Sequence, residues 1–363
     1  MFIKKLSLEN WTNYEKEEFD FSDKINVLYG GNAQGKTNAV EGVFYLSTGY
    51  SQKKTNDKNL LTLGKDKGNL ALIAQTRYGE VSIEAKLYAK EKKKILLNGV
   101  EVKKIGELMG NVSTVFFSPS SLRVVSDAPE DRRRFMDMSI SQYKRSYFYA
   151  LQKYSKIILQ RNNLLKTQNY PIIKDTLPIW YMQLAPVAGR IISDRLKFLK
   201  ELAPKARYYH AYLTDDKEDL QVGFESDYYG EEKDIVNDFL QDLTLGVDGD
   251  IEKGYTSIGP HRDDLKLMVN GKSVKHFGSQ GQQRTTALAL KLAEVEIFKE
   301  KHGESPILIL DDVFSELDKP RQKKLVEVIK NMQTLITCAY LEEDIFEGVE
   351  YKKFKIEEGK RVE

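Results

Sequence analysis

Gly30-Gly31-Asn32-Ala33-Gln34-Gly35-Lys36-Thr37 fits the pattern G-x-x-x-x-G-K-[ST]. In such a turn the backbone N–H groups wrap phosphate oxygens, the lysine reaches the β- and γ-phosphates, and the hydroxyl faces Mg²⁺. The segment therefore points to a bound nucleoside triphosphate. Toward the other end, Ile307-Leu308-Ile309-Leu310 runs into Asp311-Asp312. Asp311 is suited to hold Mg²⁺, and Asp312 to accept a proton from an attacking water. Taken alone the two acids are equally the polar end of a buried strand; the upstream loop favours the metal-and-base reading.

A third element, Gly278-Ser279-Gln280-Gly281-Gln282-Gln283-Arg284, opens a helical run from Thr285 to Lys301. A helix start of this kind aims a hydroxyl and free N–H groups at an anion, although Ser-Gln-Gly by itself is also an ordinary N-cap. Ser315-Glu316-Leu317-Asp318 forms a polar turn after the acids. Most of the chain lies between the phosphate loop and the acid pair. The two ends must therefore assemble one head, and another module must sit between them.

The elements that position these residues are legible as patterns. Lys24 to Tyr29 is a short β-rich run before the loop, and Val40, Val43 and Phe44 fall at helical spacing after it. Strands are predicted at Phe2 to Leu8, Leu70 to Thr76, Val81 to Tyr88, Ile95 to Val102 and Val112 to Phe117, with hairpin turns at Asn98-Gly99 and Asn270-Gly271. Tyr143, Tyr147, Leu151, Tyr154 and Ile158 make one helical stripe, read as core rather than as a base-stacking surface. Trp180, Leu184, Val187, Ile191 and Leu199 make a second stripe after the Tyr170-Pro171 break. Two antiparallel helices of about 25 residues give an arm of about 37 Å. The acidic stretch from Asp215 to Asp238 reads as loop and exposed helix.

At 363 residues the chain predicts two lobes. One cysteine, Cys338, excludes a disulfide framework. With no cationic apolar leader and no long apolar run, a soluble, cytoplasmic protein without a membrane partner is expected. A net charge of +2 is too small to mark a nucleic-acid binder, so any DNA surface must come from clustered charge. Three clusters qualify: Lys90, Lys92, Lys93 and Lys94 with Lys103 and Lys104; Arg132, Arg133 and Arg134; and Lys319, Arg321, Lys323 and Lys324. Each is either a contact surface or a solvated face. The arginines follow a helix start at Asp127-Ala128-Pro129-Glu130, and Arg133 or Arg134 is equally able to pair with nearby carboxylates.

Phosphate loop, Ser-x-Gly-Gln start, acid pair and Ser-x-Leu-Asp turn, in that order, resemble the ABC/SMC-type ATPase head, an α/β P-loop fold with an inserted, mainly helical arm lobe. Within that group the strings Gly30 to Asn38, Asp131 to Asp137, Gly259-Pro260-His261-Arg262-Asp263-Asp264, Gly278 to Arg284 and Leu310 to Asp318 resemble the RecF family. The resemblance implies a head made of residues 1–128 and 246–363 and an arm of 129–245. It implies ATP in the loop Gly30, Gly31, Asn32, Ala33, Gln34, Gly35, Lys36 and Thr37, Mg²⁺ on Thr37 and Asp311, and Asp312 as the catalytic acid. Ser279, Gly281 and Gln282 would cap the γ-phosphate of a second copy in an ATP-dependent homodimer. DNA, with Lys92, Lys93, Lys94, Arg132 and Arg133 as its tentative contacts, and RecO, RecR and RecA are the implied partners, in recombinational repair, replication and the SOS response.

Three positions depart from the family pattern. Thr12 stands where an arginine is usual before Asn13-Tyr14, Ser51-Gln52-Lys53 replaces Ser-His-Arg, and Ser120 replaces an acid after Pro119. Weakened nucleotide contacts are expected, because threonine loses the charge and lysine loses the planar fork. None of the four histidines lies at Leu335-Ile336-Thr337, where transport ATPases carry a switch histidine. A transporter motor is disfavoured, and the tail after Asp318 is too short for the added metal domain of an SMC-like nuclease. Weak DNA-dependent ATP hydrolysis is expected, and a scaffold that holds ATP without turnover remains the alternative.

Overall fold

A computed structural model describes residues 1–53, 55–167 and 170–362, apart from the side chain of Lys174. Its strands are β1 (Phe2–Trp11), β2 (Tyr14–Asp20), β3 (Ile25–Tyr29), β4 (Lys67–Thr76), β5 (Gly79–Tyr88), β6 (Lys94–Leu97), β7 (Val100–Glu101), β8 (Thr114–Phe117), β9 (Leu220–Glu225), β10 (Asp264–Val269), β11 (Lys272–Ser273), β12 (Ile307–Asp311), β13 (Thr334–Cys338), β14 (Tyr351–Glu357) and β15 (Lys360–Arg361). The chain folds into two units, one of residues 1–122, 209–217 and 287–363, the other of residues 123–208 and 218–286.

The first unit holds two six-stranded sheets. One is antiparallel, in the order β2-β1-β4-β5-β6-β7. Its strand β4 alternates buried and half-exposed residues, the signature of a sheet with one face in the core. The other has the order β15-β14-β3-β13-β12-β8 and is parallel from β14 to β8. Its strands β8 and β12 are buried at every position, and β3 and β13 at all but the last, as expected where helices cover both faces. The phosphate loop and the acid pair follow strands at this sheet's centre. β3 and β12 flank β13, and parallel strands deliver their C-terminal ends to one edge.

The second unit contains the helices Pro129–Tyr143, Arg145–Leu165 and Glu232–Leu245, most of Tyr170–Thr214, and the small sheet β11-β10-β9. Tyr147 and Tyr154 are buried, so the tyrosine stripe is core, as the periodicity implies. Three features differ from expectation. The helix after the Tyr170-Pro171 break is 45 residues long, about 68 Å at about 1.5 Å per residue, and carries Pro178, Pro186 and Pro204 without ending. The acidic stretch supplies strand β9, which pairs with β10 along its whole length. Finally, the second unit extends to residue 286 rather than 245, so the Gly-Pro-His-Arg-Asp-Asp string and Ser279 belong to it. The helix Gln280–His302 continues from this unit into the first.

Candidate nucleotide site

The phosphate loop leaves β3 through Gly30, at φ +146°, where a Cβ would lie 2.3 Å from the Ile356 carbonyl oxygen of β14. Only glycine fits this close approach of two backbones. It returns through Gly35, at φ +117°, whose missing Cβ leaves room for Asn13 at 2.7 Å and the Tyr14 hydroxyl at 3.1 Å. Those side chains brace the loop: Asn13 Nδ2 donates to Gln34 O at 3.0 Å and Tyr14 Oη donates to Gly35 O at 3.0 Å. Asn38, on the helix Lys36–Thr48, donates to Asn13 Oδ1 at 2.8 Å. From the C-terminal hairpin, Gly359 N donates to Gln34 O at 2.9 Å and Glu358 N to Gln34 Oε1 at 2.6 Å. Lys36 Nζ donates to the carbonyls of Gly30 and Gly31, each at 2.6 Å. Burial lowers the pKa of this ammonium, against the pull of Asp312, Cys338 and Asp311.

The two ends of the chain meet at Asp311. Thr37 Oγ1 donates to Asp311 Oδ1 at 2.7 Å across 274 positions of sequence. Thr337 Oγ1 donates to the same oxygen at 2.7 Å, and accepts from the Asp312 N–H at 3.0 Å. Burial raises the Asp311 pKa, while the hydroxyls of Thr337 and Thr37 oppose the rise. Hydroxyl and carboxylate are hard donors of the kind Mg²⁺ takes, with water and phosphate oxygens completing its shell. Residues Thr37 and Asp311 therefore fit the ion. Among the described residues no group of three or more His, Cys, Asp or Glu would hold a metal unaided, so the phosphates would be needed.

Of the departures from the family pattern, Lys53 stays at the site: it pairs with buried Glu41 at 2.9 Å and donates to Asn38 Oδ1 at 2.9 Å. Its charge acts on Asp311. Ser51 anchors the segment through Glu41 Oε1 at 2.6 Å. Thr12 donates to its neighbour Trp11 O at 2.8 Å, and Ser120 shares a 2.8 Å hydrogen bond with Ser118.

In the second unit, Ser279 N donates to Gln282 Oε1 at 2.9 Å, and Gln282 N to Ser279 Oγ at 3.2 Å. This reciprocal pair is a capping box, with glutamine in its third position. Gln282 Nε2 also donates to Glu218 at 2.9 Å. Ser279 lies beside the ring of Phe277, which is 74% exposed. Gly281 is exposed, and Ser279 and Gln282 are half-exposed.

The tentative DNA contacts divide. Lys92 and Lys94 are exposed. Lys93 is instead a structural cation: its ammonium reaches Gly49 O at 2.5 Å and Asp57 at 3.2 Å, and lies 4.8 Å from the Tyr45 ring centroid. Burial lowers its pKa, with Asp57 opposing. Arg132 is buried and forked onto Asp264 by bonds of 2.6 and 2.7 Å, which corrects its reading as a DNA contact. Arg133 donates to Asp263 O at 2.8 Å. The same two strings meet again at buried Arg195, which pairs with Asp137 at 2.9 Å and Asp263 at 2.7 Å and donates to Pro260 O at 2.5 Å. Although burial disfavours the charge, Tyr147, Asp137 and Asp263 hold the guanidinium pKa well above its ordinary value. The two segments that most narrowly mark the family are thus one ion network.

Sequence reasoning missed Asn13, Tyr14, Glu41 and Thr337 as site residues. Glu41 left a signal, an acid one turn beyond Thr37 within an otherwise apolar helix. Thr337 left none, because a threonine in a β-rich run is ordinary.

The sequence model of the family described as "RecF/RecN/SMC N terminal domain" matches residues 2–358. The DNA replication and repair protein RecF of Ruminiclostridium cellulolyticum is 43% identical over 344 residues, covering 93% of this chain and 92% of that protein. That of Clostridium acetobutylicum is 38% identical and covers all of both chains. A solved structure described as the recombination mediator protein RecF with ATP superposes with a TM-score of 0.91 at 32% identity, over 100% of this chain and 98% of its own. An Smc head solved with the C-winged helix domain of ScpA gives a TM-score of 0.59 at 15% identity, a likeness of fold. With the phosphate loop and acid pair joined on one parallel sheet, the chain belongs to the RecF family of DNA replication and repair proteins and has the ABC/SMC-type ATPase fold.

Proposed function

We propose that this chain is an ATP-dependent DNA-binding protein of recombinational repair, dimerising with ATP on gapped DNA and helping to load recombinase there. The observation that carries the reading is the hydrogen bond from Thr37 to Asp311, which brings the phosphate loop to the acid pair. In this reading Lys36 and the loop N–H groups hold the β- and γ-phosphates. Mg²⁺, held by Thr37 and Asp311, neutralises phosphate charge when bound. Asp312 orients the attacking water and accepts its proton. Ser279, with Gly281 and Gln282, caps the γ-phosphate of a second copy. RecO, RecR and RecA as partners, support of the SOS response and a cytoplasmic site of action follow from the family. Among the described residues no helix is long and apolar enough to cross a membrane.

Lys36→Ala removes the loop's only side-chain cation, and ATP affinity should fall by about tenfold or more. A fluorescent ATP analogue binding the variant as tightly as the parent would remove the site assignment. For DNA, the exposed Lys92 and Lys94 replace the five-residue set. Their conversion to glutamine should flatten the log–log salt dependence of binding by about one unit for each phosphate no longer neutralised. An unchanged slope measured by fluorescence anisotropy would make the hairpin a solvated face.

The alternative, an ATP-holding scaffold without turnover, is favoured by one feature. The amine of Lys53 is committed to Glu41 and Asn38, and it stands where the family carries a guanidinium. Single-turnover hydrolysis with and without gapped DNA separates the two readings.

A further inference from the structure

Thr337 lies on β13 in direct register with Asp311 of the neighbouring strand β12. It is 1% exposed, so its hydroxyl meets only protein. That hydroxyl has one proton, and the proton goes to Asp311 Oδ1 at 2.7 Å. Its oxygen accepts from the backbone N–H of Asp312 at 3.0 Å, and the same N–H also reaches the Thr337 carbonyl at 3.1 Å. Asp312 has φ +54°, the left-handed region that a residue with a Cβ adopts at a cost of about 1–2 kcal/mol. The strand must therefore hold the turn in place.

We propose that Thr337 is a positioning residue that fixes both acids of the site with a single hydroxyl. It holds the carboxylate of Asp311 by donating to it, and holds the left-handed turn that presents Asp312 by accepting from its N–H. With its proton committed to Asp311, this hydroxyl is not a phosphate donor, so Thr337 does not substitute for a switch histidine. Thr37 donates to the same Asp311 oxygen. Thr337 thus also keeps Asp311 in place for the hydroxyl at the end of the phosphate loop. The inference rests on the ATPase reading above for its consequence in turnover, and on the hydrogen bonds alone for its consequence in the turn.

The test compares Thr337→Val, which keeps the shape and removes the hydroxyl, with Thr337→Ser, which restores it. Without nucleotide, hydrogen–deuterium exchange of a peptide covering residues 311–318 should be several-fold faster in Thr337→Val than in the parent, and near parental in Thr337→Ser. A peptide covering residues 25–35 should be unchanged in both. With ATP, Thr337→Val should lower kcat by about ten- to a hundredfold, the range expected when a catalytic group is misplaced, while the ATP dissociation constant moves by less than about threefold. Thr337→Ser should recover most of kcat. Parental exchange of residues 311–318 in Thr337→Val, or equal defects in the valine and serine variants, would overturn the clamp. If the parent itself neither binds nor hydrolyses ATP, the ATPase reading fails while the exchange result still decides the clamp.

Discussion

Ser279→Arg is expected to abolish ATP-dependent dimerisation while leaving each chain able to bind ATP. The serine forms a capping box with Gln282, so the substitution places a long cation at the start of the helix Gln280–His302. Loss of the cap costs about 1 kcal/mol, too little to unfold the chain. The steric and charge change falls where the γ-phosphate of a second copy would dock. Asp312→Asn should do the opposite, because it keeps the shape of the side chain but removes the proton acceptor. That variant should dimerise with ATP and stay dimeric, since the γ-phosphate is retained. Light scattering after size exclusion, with and without ATP, reads both outcomes. An ATP-induced dimer of Ser279→Arg, or parental turnover by Asp312→Asn, would rule out the two-chain composite site and leave the scaffold.

Arg195→Met should destabilise the second unit by about 3–5 kcal/mol, the loss expected when one member of a buried ion network is removed. The guanidinium is buried between Asp137 and Asp263, and Asp263 is itself 2% exposed. Methionine fills much of the volume but leaves Asp263 without its ion-pair partner in a site that water does not reach. The comparison is Arg262→Ala, one residue before Asp263. Arg262 is exposed and lies 5.5 Å from the Tyr255 ring centroid, so it should cost about 0.5 kcal/mol. Urea denaturation followed by circular dichroism should show an early transition for Arg195→Met and none for Arg262→Ala. Equal midpoints for the two variants would mean that the network carries no stability. Arg132, forked onto Asp264 in the same unit, is expected to act through folding as well, and its replacement is therefore a poor probe of DNA contact.

What was legible in the sequence is local. The phosphate loop follows from glycines and a lysine within eight consecutive positions, and its conformation depends on Gly30 and Gly35 having no Cβ. The hairpins at Asn98-Gly99 and Asn270-Gly271 form where those dipeptides stand, since both residues of each pair have positive φ. Periodicity likewise separated the one-faced strand β4 from the strands of the parallel sheet, because side-chain burial follows the repeat of the backbone.

The tertiary structure decided which charges are free and which are spent. Nothing around Arg132 or Lys93 in the sequence marks them off from Arg134 or Lys92. Their partners are Asp264, which is 132 positions away, and Gly49 and Asp57 in another segment. An ion pair depends on distance in space and on exclusion of water, and neither is a property of neighbouring letters. The same holds for Thr337. Its hydroxyl became a site group only when parallel register set it beside Asp311. By itself the sequence determined that a phosphate loop and an acid pair exist. The packing of β3, β13 and β12 side by side determined that they are one site, because parallel strands so placed bring their C-terminal ends to one edge, within hydrogen-bonding distance.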